Sequence, residues 1–232
     1  MNTAIIVAAG SGSRFGSETP KQFADLSGKP VIIHTLERFE ECDVIDEIVL
    51  VLSESGAKQF QISNLRSDIT KLRSIVIGGA TRTESVRNGL DAVDPATDVV
   101  AVHDGARPLV SVDEIGRTVE AAMLSGAACL VAEVTDTIKE IADGHISGTI
   151  DRNSLRRALT PQAFSYELLK RAFDGVDLND SVTDECYLIE KLGVKISIVE
   201  GSSNNIKITR SQDMLFAESV IGAGCGSRMA SE

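Results

Sequence analysis

The strongest constraint on this chain is an alternation. Short continuous apolar runs occur at 3–9 (TAIIVAA), 47–52 (EIVLVL), 73–77 (RSIVI), 99–103 (VVAVH) and 128–134 (ACLVAEV). Between them lie segments whose apolar residues recur at helical spacing, at 30–41, 54–63, 81–93 and 112–126. Runs that are apolar on both faces belong in a parallel sheet covered on both sides, because a half-exposed strand would alternate with polar residues. Further helices are expected in SYELLKRAFD, VTDECYLIEKLG and SQDMLFAESVIG, and a further strand in VKISIVE at 194–200. Pro30 suits a helix start, and Gly126 and Gly193 suit helix ends. The order predicts an α/β fold: a doubly wound, mostly parallel, Rossmann-like sheet with helices on both faces. One stretch, 135–164, breaks the rhythm with two alternating runs around Asp143-Gly144, a hairpin signal. A hairpin leaving such a sheet is a lid or a dimerisation arm, here placed at about 135–160. With 232 residues, no internal repeat and no low-complexity linker, residues 1–232 read as one domain with a flexible tail at 223–232.

Charge and rare residues narrow the chemistry. A formal net charge of −11 argues against a broad nucleic-acid surface, which needs a basic field, but a local basic pocket would stand out against it. No apolar run reaches membrane-spanning length, no membrane partner is expected, and no signal peptide opens the chain, so a cytoplasmic protein is expected. Cys42, Cys129, Cys186 and Cys225 form no CxxC pair and read as reduced thiols. With only His34, His103 and His145, a histidine metal site or a Ser-His-Asp triad has few candidates.

The first apolar run ends in VAAGSGSRFGSETPKQ, residues 7–22. Glycines after a buried strand let backbone N–H groups approach an anion. The spacing Gly10-x-Gly12-x-x-x-Gly16 is not the GxGxxG of a dinucleotide fold. No acidic residue stands where a ribose would need one, and no Gly-Lys-Ser/Thr makes a P-loop. A plain surface loop with two solvated cations accounts poorly for this glycine density. The remaining reading is a triphosphate loop, with Arg14 and Lys21 supplying charge where it builds up during nucleotidyl transfer.

Other stretches agree. Gly78-Gly79 ends the third strand, and its backbone could read a base edge; a helix cap by Thr81 or Thr83 explains the same residues. VHDGARP at 102–108 places Asp104 and Arg107 at the carboxyl end of the fourth strand, where ligands sit in open α/β sheets. His103 reads as a packed side chain rather than a base. Lys207, in a strand-like segment between apolar residues, is a phosphate clamp or a lysine laying its stem on the core.

Together these residues resemble the 2-C-methyl-D-erythritol 4-phosphate cytidylyltransferase family. AAGSGSRFGSETPKQ, GGATRTESVRNGL, VHDGARP, VTDTIK, DRNSLRRALTPQAF, TDE and NIKIT occur in the family's order across nearly the whole chain. The glycine-rich loop is shared by many nucleotidyltransferases; PKQ, HDxARP and TPQxF are more specific. The resemblance implies that CMP passes from CTP to 2-C-methyl-D-erythritol 4-phosphate. Arg14, Lys21 and Lys207 would stabilise the crowded phosphates. The loop Ala8, Ala9, Gly10, Ser11 and Gly12 would hold CTP, with Gly79, Ala80 and Ser85 near cytosine and ribose. Asp104 would lie beside nucleotide and acceptor. Arg107, Thr137, Arg152, Thr160, Thr183 and Lys207 would make the acceptor pocket, Arg152 reaching across a homodimer built on the hairpin arm. Mg²⁺ or another divalent cation would ride on the phosphates without a carboxylate cage. Departures are Gly105 where the family usually has alanine, Asn204 where an acid is common, and Ala80 where a polar residue is frequent.

The residue inventory fits such chemistry. A phosphate acceptor is already ionised, so in-line attack needs charge neutralisation and alignment rather than a general base. The nearest rival is a ribitol-5-phosphate cytidylyltransferase, whose members tend towards HDxVRPF. A rival of another class is a non-catalytic nucleotide-binding protein, which loss of Arg14, Lys21 or Lys207 would have favoured.

Overall fold

The computed structural model describes residues 1–10, 15, 20–62, 69–175 and 182–229. In chain order the elements are β1 (Asn2–Ala8), a 3-10 turn (Lys21–Phe23), β2 (Asp25–Leu26), β3 (Lys29–Pro30), α1 (Val31–Glu40), β4 (Glu47–Leu52), α2 (Glu54–Ile62) and β5 (Leu72–Ile77). There follow α3 (Arg82–Leu90), β6 (Val99–Asp104), α4 (Val112–Ser125), β7 (Ala127–Glu133), β8 (Ile138–Ala142) and β9 (His145–Ile150). A second 3-10 turn (Arg152–Ser154) leads to β10 (Arg156–Ser165), α5 (Tyr166–Asp174), α6 (Glu185–Lys191), β11 (Ser197–Glu200) and α7 (Ser211–Met229).

Seven strands form one sheet in the order β11-β7-β10-β6-β1-β4-β5. β1 pairs parallel with both β4 and β6, and the β4–β5 and β11–β7 pairs are also parallel. The period of two sorts each strand between two cores. On β1, Ala4, Ile6 and Ala8 face α1 with Ile32, Leu36 and Phe39, whereas Ile5 faces α3 with Val86 and Leu90. The chain runs from β1 outward to β5 and then crosses back to β6 on the other side of β1. Strand order therefore reverses at β1, and the carboxyl ends of β1 and β6 border the crevice where such folds bind ligands.

Three features differ from the sequence expectation. β10 is a ten-residue strand inserted antiparallel between β6 and β7. The projecting hairpin is thus β8–β9 alone, and 156–160, placed at the end of the arm, belong to the main sheet. Its turn is the one expected: Asp143 and Gly144 both have positive φ (50° and 78°), as a two-residue hairpin loop requires. The segment with Lys207 is a loop, not a strand. α7 continues to Met229, beyond the point where the tail was placed. Cys42, Cys129 and Cys186 are buried free thiols. No described helix is long and apolar enough to cross a membrane.

Candidate active site

Two adjoining cavities open at the switch point. The larger, of about 410 Å³, is lined by the end of β1 (Ala8, Ala9, Gly10), by Lys21 and Gln22, by Gly79 to Arg82 with Ser85, and by Asp104, Lys207 and Thr209. The smaller, of about 170 Å³, is lined by Arg107, by Ala158 to Thr160 and Gln162 of β10, and by Thr183 and Asp184 before α6. Arg82, Asp104 and Lys207 line both.

Asp104 is the hub. Its Oδ1 accepts from Arg82 Nε (3.2 Å), and its Oδ2 takes Arg107 Nε (3.1 Å) and Lys207 Nζ (3.0 Å). Burial alone would raise its carboxyl, but Arg82, Lys207 and Arg107 together hold it well below the usual carboxylate range. Arg82 is fixed in turn by a fork-to-fork pair with Glu185, at 2.6 and 3.0 Å. Glu185 is fully buried. Burial would favour losing the Arg82 proton, but Glu185 and Asp104 outweigh it and keep the guanidinium charged.

The turn carrying Asp104 and Arg107 is pinned from behind. His103 is fully buried; its Nε2 lies 3.2 Å from the Arg107 carbonyl and its Nδ1 3.0 Å from Thr160 Oγ1. A carbonyl only accepts, so Nε2 carries the proton and Nδ1 accepts from the Thr160 hydroxyl. Thr160 Oγ1 itself accepts the Asp104 N–H (3.1 Å). Burial pushes the His103 imidazole down to about 3, so it is neutral at physiological pH and both nitrogens are engaged. It is a packed side chain, as expected. Gly105 is closely packed: a Cβ there would lie 2.8 Å from Ile32 and 2.9 Å from Ala8, so the alanine usual in the family would require these neighbours to shift.

The walls are held by amides. Gln22 donates to the Ala8 carbonyl (3.0 Å), fixing the exit of β1. Gln162 donates to Asp184 (2.9 Å) and accepts from the backbone of Glu185 and Cys186, fixing the start of α6. Lys21 Nζ donates to the carbonyl of Ile208 (2.8 Å), the residue after Lys207, so both lysines meet one wall. Thr81 caps α3 by accepting from the Glu84 N–H; the capping and the base-edge readings of this stretch are therefore compatible.

Of the residues expected in the site, the structure brings together Ala8, Ala9, Gly10, Lys21, Gly79, Ala80, Ser85 and Asp104 in the larger cavity, and Arg107, Thr160 and Thr183 with Asp104 in the smaller; Lys207 is in both. Ser11, Gly12 and Arg14 lie outside the described residues. Thr137 and Arg152 line neither cavity; both are at the base of the hairpin, where Arg152 donates to the Thr135 carbonyl (2.5 Å). The expectation missed Arg82, Glu185, Gln22 and Gln162. Glu185 opens a helix, where an acid is already explained by the helix dipole, so its partner across more than a hundred residues left no local signal. Among the described residues no cluster of three His, Cys, Asp or Glu could hold a metal. Asp104, already committed to three cations, is a poor cage; the donor set fits only a cation that arrives with phosphate oxygens as its ligands.

Residues 2–231 match the family model described as IspD, 2-C-methyl-D-erythritol 4-phosphate cytidylyltransferase. The chain is 42% identical to the 2-C-methyl-D-erythritol 4-phosphate cytidylyltransferase of Syntrophus aciditrophicus, over 94% of each chain. It is 42% identical to that of Pelotomaculum thermopropionicum, over 96% of this chain and 95% of the other. The crystal structure of 4-diphosphocytidyl-2C-methyl-D-erythritol synthase from Anaerococcus prevotii superposes with a TM-score of 0.84 at 31% identity, over 95% of this chain and 98% of that one.

Proposed function

The chain belongs to the 2-C-methyl-D-erythritol 4-phosphate cytidylyltransferase family, and from that premise we propose how its two cavities carry out the reaction. The enzyme converts CTP and 2-C-methyl-D-erythritol 4-phosphate to 4-diphosphocytidyl-2-C-methyl-D-erythritol and pyrophosphate, in the non-mevalonate route to isoprenoids. The larger cavity takes CTP, and the smaller takes the acceptor. An acceptor phosphate oxygen forms the new bond to the α-phosphorus of CTP. The bond from that phosphorus to the β-phosphate bridging oxygen breaks, and pyrophosphate leaves with its electron pair.

One observation carries this division: Lys207 lines both cavities while its amine stands on Asp104. A cation at the junction of nucleotide and acceptor is placed where two phosphates crowd together. The state of the two buried titratable groups at the end of β6 supports it. His103 is neutral with both nitrogens engaged, and Asp104 is held ionised and weakly basic by three cations. Neither can take a proton from an alcohol nucleophile at neutral pH, and a phosphate nucleophile has none to give. Lys21 faces the triphosphate side, and Arg14 joins it by the family pattern. Arg107, Thr160 and Thr183 bound the acceptor. A divalent cation would be held by the triphosphate oxygens rather than by a protein cage, and would supply charge neutralisation there beside Lys21 and Lys207. Thr137 and Arg152, remote from this chain's own cavities, serve the partner's acceptor site in a homodimer assembled through β8–β9.

Pyrophosphate release measured with CTP, Mg²⁺ and either 2-C-methyl-D-erythritol 4-phosphate or ribitol 5-phosphate tests the acceptor. Turnover with the first is expected to exceed the second by far; the reverse would move the enzyme to pentitol-phosphate chemistry. Mixed dimers of Arg152→Ala and Lys21→Ala subunits should regain activity that neither parent has. Absence of rescue in verified heterodimers would reject the shared site.

A further inference from the structure

The rim of the larger cavity between β5 and α3 has lost its donors. The Gly78 N–H donates to the Leu52 carbonyl (2.9 Å), the Gly79 N–H to Ser85 Oγ (3.1 Å) and the Ala80 N–H to Glu84 Oε2 (2.6 Å). The Ser85 hydroxyl proton is given to the Thr81 carbonyl (2.8 Å). The rim lies directly on the first turn of α3: a Cβ on Gly79 would fall 2.4 Å from the Glu84 Cβ. Every N–H from 78 to 80 is therefore turned towards protein, although Gly79 and Ala80 line the cavity. Carbonyl oxygens are the groups this backbone can still offer a ligand, and a carbonyl only accepts.

We propose that Glu84 is a specificity-determining residue, which by holding the Ala80 N–H leaves the 78–80 backbone acceptor-only and so selects an amino-bearing pyrimidine over its keto analogue. The proposal rests on the reading that CTP occupies this cavity. Cytosine offers an exocyclic amino donor at the position where uracil offers a carbonyl oxygen. Against an acceptor-only rim, uracil leaves two oxygens facing each other unpaired, the arrangement that discriminates most strongly. Two of the three bonds are made by partners that a base-contact argument would never reach: the Leu52 carbonyl and the Glu84 carboxylate. Of these only Glu84 is a side chain, so it alone can be changed without moving the strand. Removing it returns one donor to the rim, and that donor can serve the keto oxygen of uracil.

The test compares kcat/KM for CTP and UTP in the wild-type enzyme, Glu84→Ala and Glu84→Gln, with thermal melts of each. Glu84→Ala is expected to raise the CTP KM several-fold with kcat nearly kept, and to narrow the CTP-over-UTP ratio by roughly tenfold, about one hydrogen bond of discrimination. Glu84→Gln keeps an amide oxygen that can accept and should narrow the ratio less. A general loosening of α3 would lower both nucleotides' values together and leave the ratio in place. A wild type that prefers CTP with a Glu84→Ala variant that keeps the full preference would overturn the role of Glu84 and leave the cavity assignment standing. A wild type that accepts UTP as readily as CTP would overturn both. If Glu84→Ala does not fold, Glu84→Leu, which keeps the side-chain bulk but offers no acceptor to the Ala80 N–H, decides: an unchanged CTP-over-UTP ratio in that variant overturns the proposal.

Discussion

The two cavities differ in what they are made of. The larger is walled mostly by backbone and small side chains from 8–10 and 79–80, shaped by the ends of β1 and β5. The smaller is walled by functional side chains, Arg107, Thr160, Gln162, Thr183 and Asp184, gathered from β6, β10 and the start of α6. A backbone wall recognises a base through groups that mutation cannot delete, so its selectivity must be altered through residues that orient it. A side-chain wall can be retuned residue by residue, which is what the proposed acceptor site would need. Three charged residues, Arg82, Asp104 and Lys207, belong to both and join the two halves electrically.

Changing the shared element should have the largest effect. Lys207→Ala is expected to lower kcat by about 10²–10³-fold, the cost of losing one well-placed charge donor. Because Arg82 and Arg107 still hold Asp104 in the variant, its thermal midpoint should fall far less than its turnover. Steady-state kinetics with both substrates varied would show KM rising for each. A variant that changes only one KM would break the view that Lys207 belongs to both cavities.

A smaller, one-sided effect is expected at Thr183→Val. The acceptor KM should rise about tenfold, the loss of one polar contact, while the CTP dissociation constant stays unchanged. An equal change in CTP binding would mean that the cavities are not separable.

The gentlest effect concerns stability. His103 has a folded value of about 3 against an ordinary 6.5, and Asp104 also lies below its ordinary 3.8. In both cases the unfolded chain binds a proton that the folded chain refuses, so stability falls as pH drops. The His103 contribution is lost progressively from pH 6.5 towards 3, and the Asp104 contribution only below 3.8. Urea midpoints measured from pH 7.5 to 4.5 should therefore decline in the wild type and decline less in His103→Asn. An identical slope in the variant would remove His103 as the cause.

Much of this was legible along the chain. The apolar runs fixed the parallel strands because residues buried on both faces must be apolar throughout. The end of β1 and the pair Asp104–Arg107 pointed to the crevice, because their positions follow from where strands end. Asp143-Gly144 announced the hairpin, because only such residues accept its backbone angles. β10 was not legible. Its ten residues (RRALTPQAFS) include a proline and two arginines, an unpromising pattern for an interior strand, and only its neighbours β6 and β7 supply the pairing.

The same contrast holds in the site. The sequence by itself determined the parallel strands, the strand ends that border the crevice, and Lys21, Arg107 and Lys207 as candidate cations, since each is read from residues near one another in the chain. Only the tertiary structure decided what those cations do. Arg82 and Glu185 stand 103 positions apart, and Thr160 reaches back 57 positions to His103. Glu185 reads locally as a helix start and His103 as a core residue. Their partners are set by the crossing of the chain at β1 and by the antiparallel insertion of β10. Charges that look solvated in one dimension are brought into a low-dielectric crevice in three. There a carboxylate such as Asp104 stays ionised only because three cations surround it.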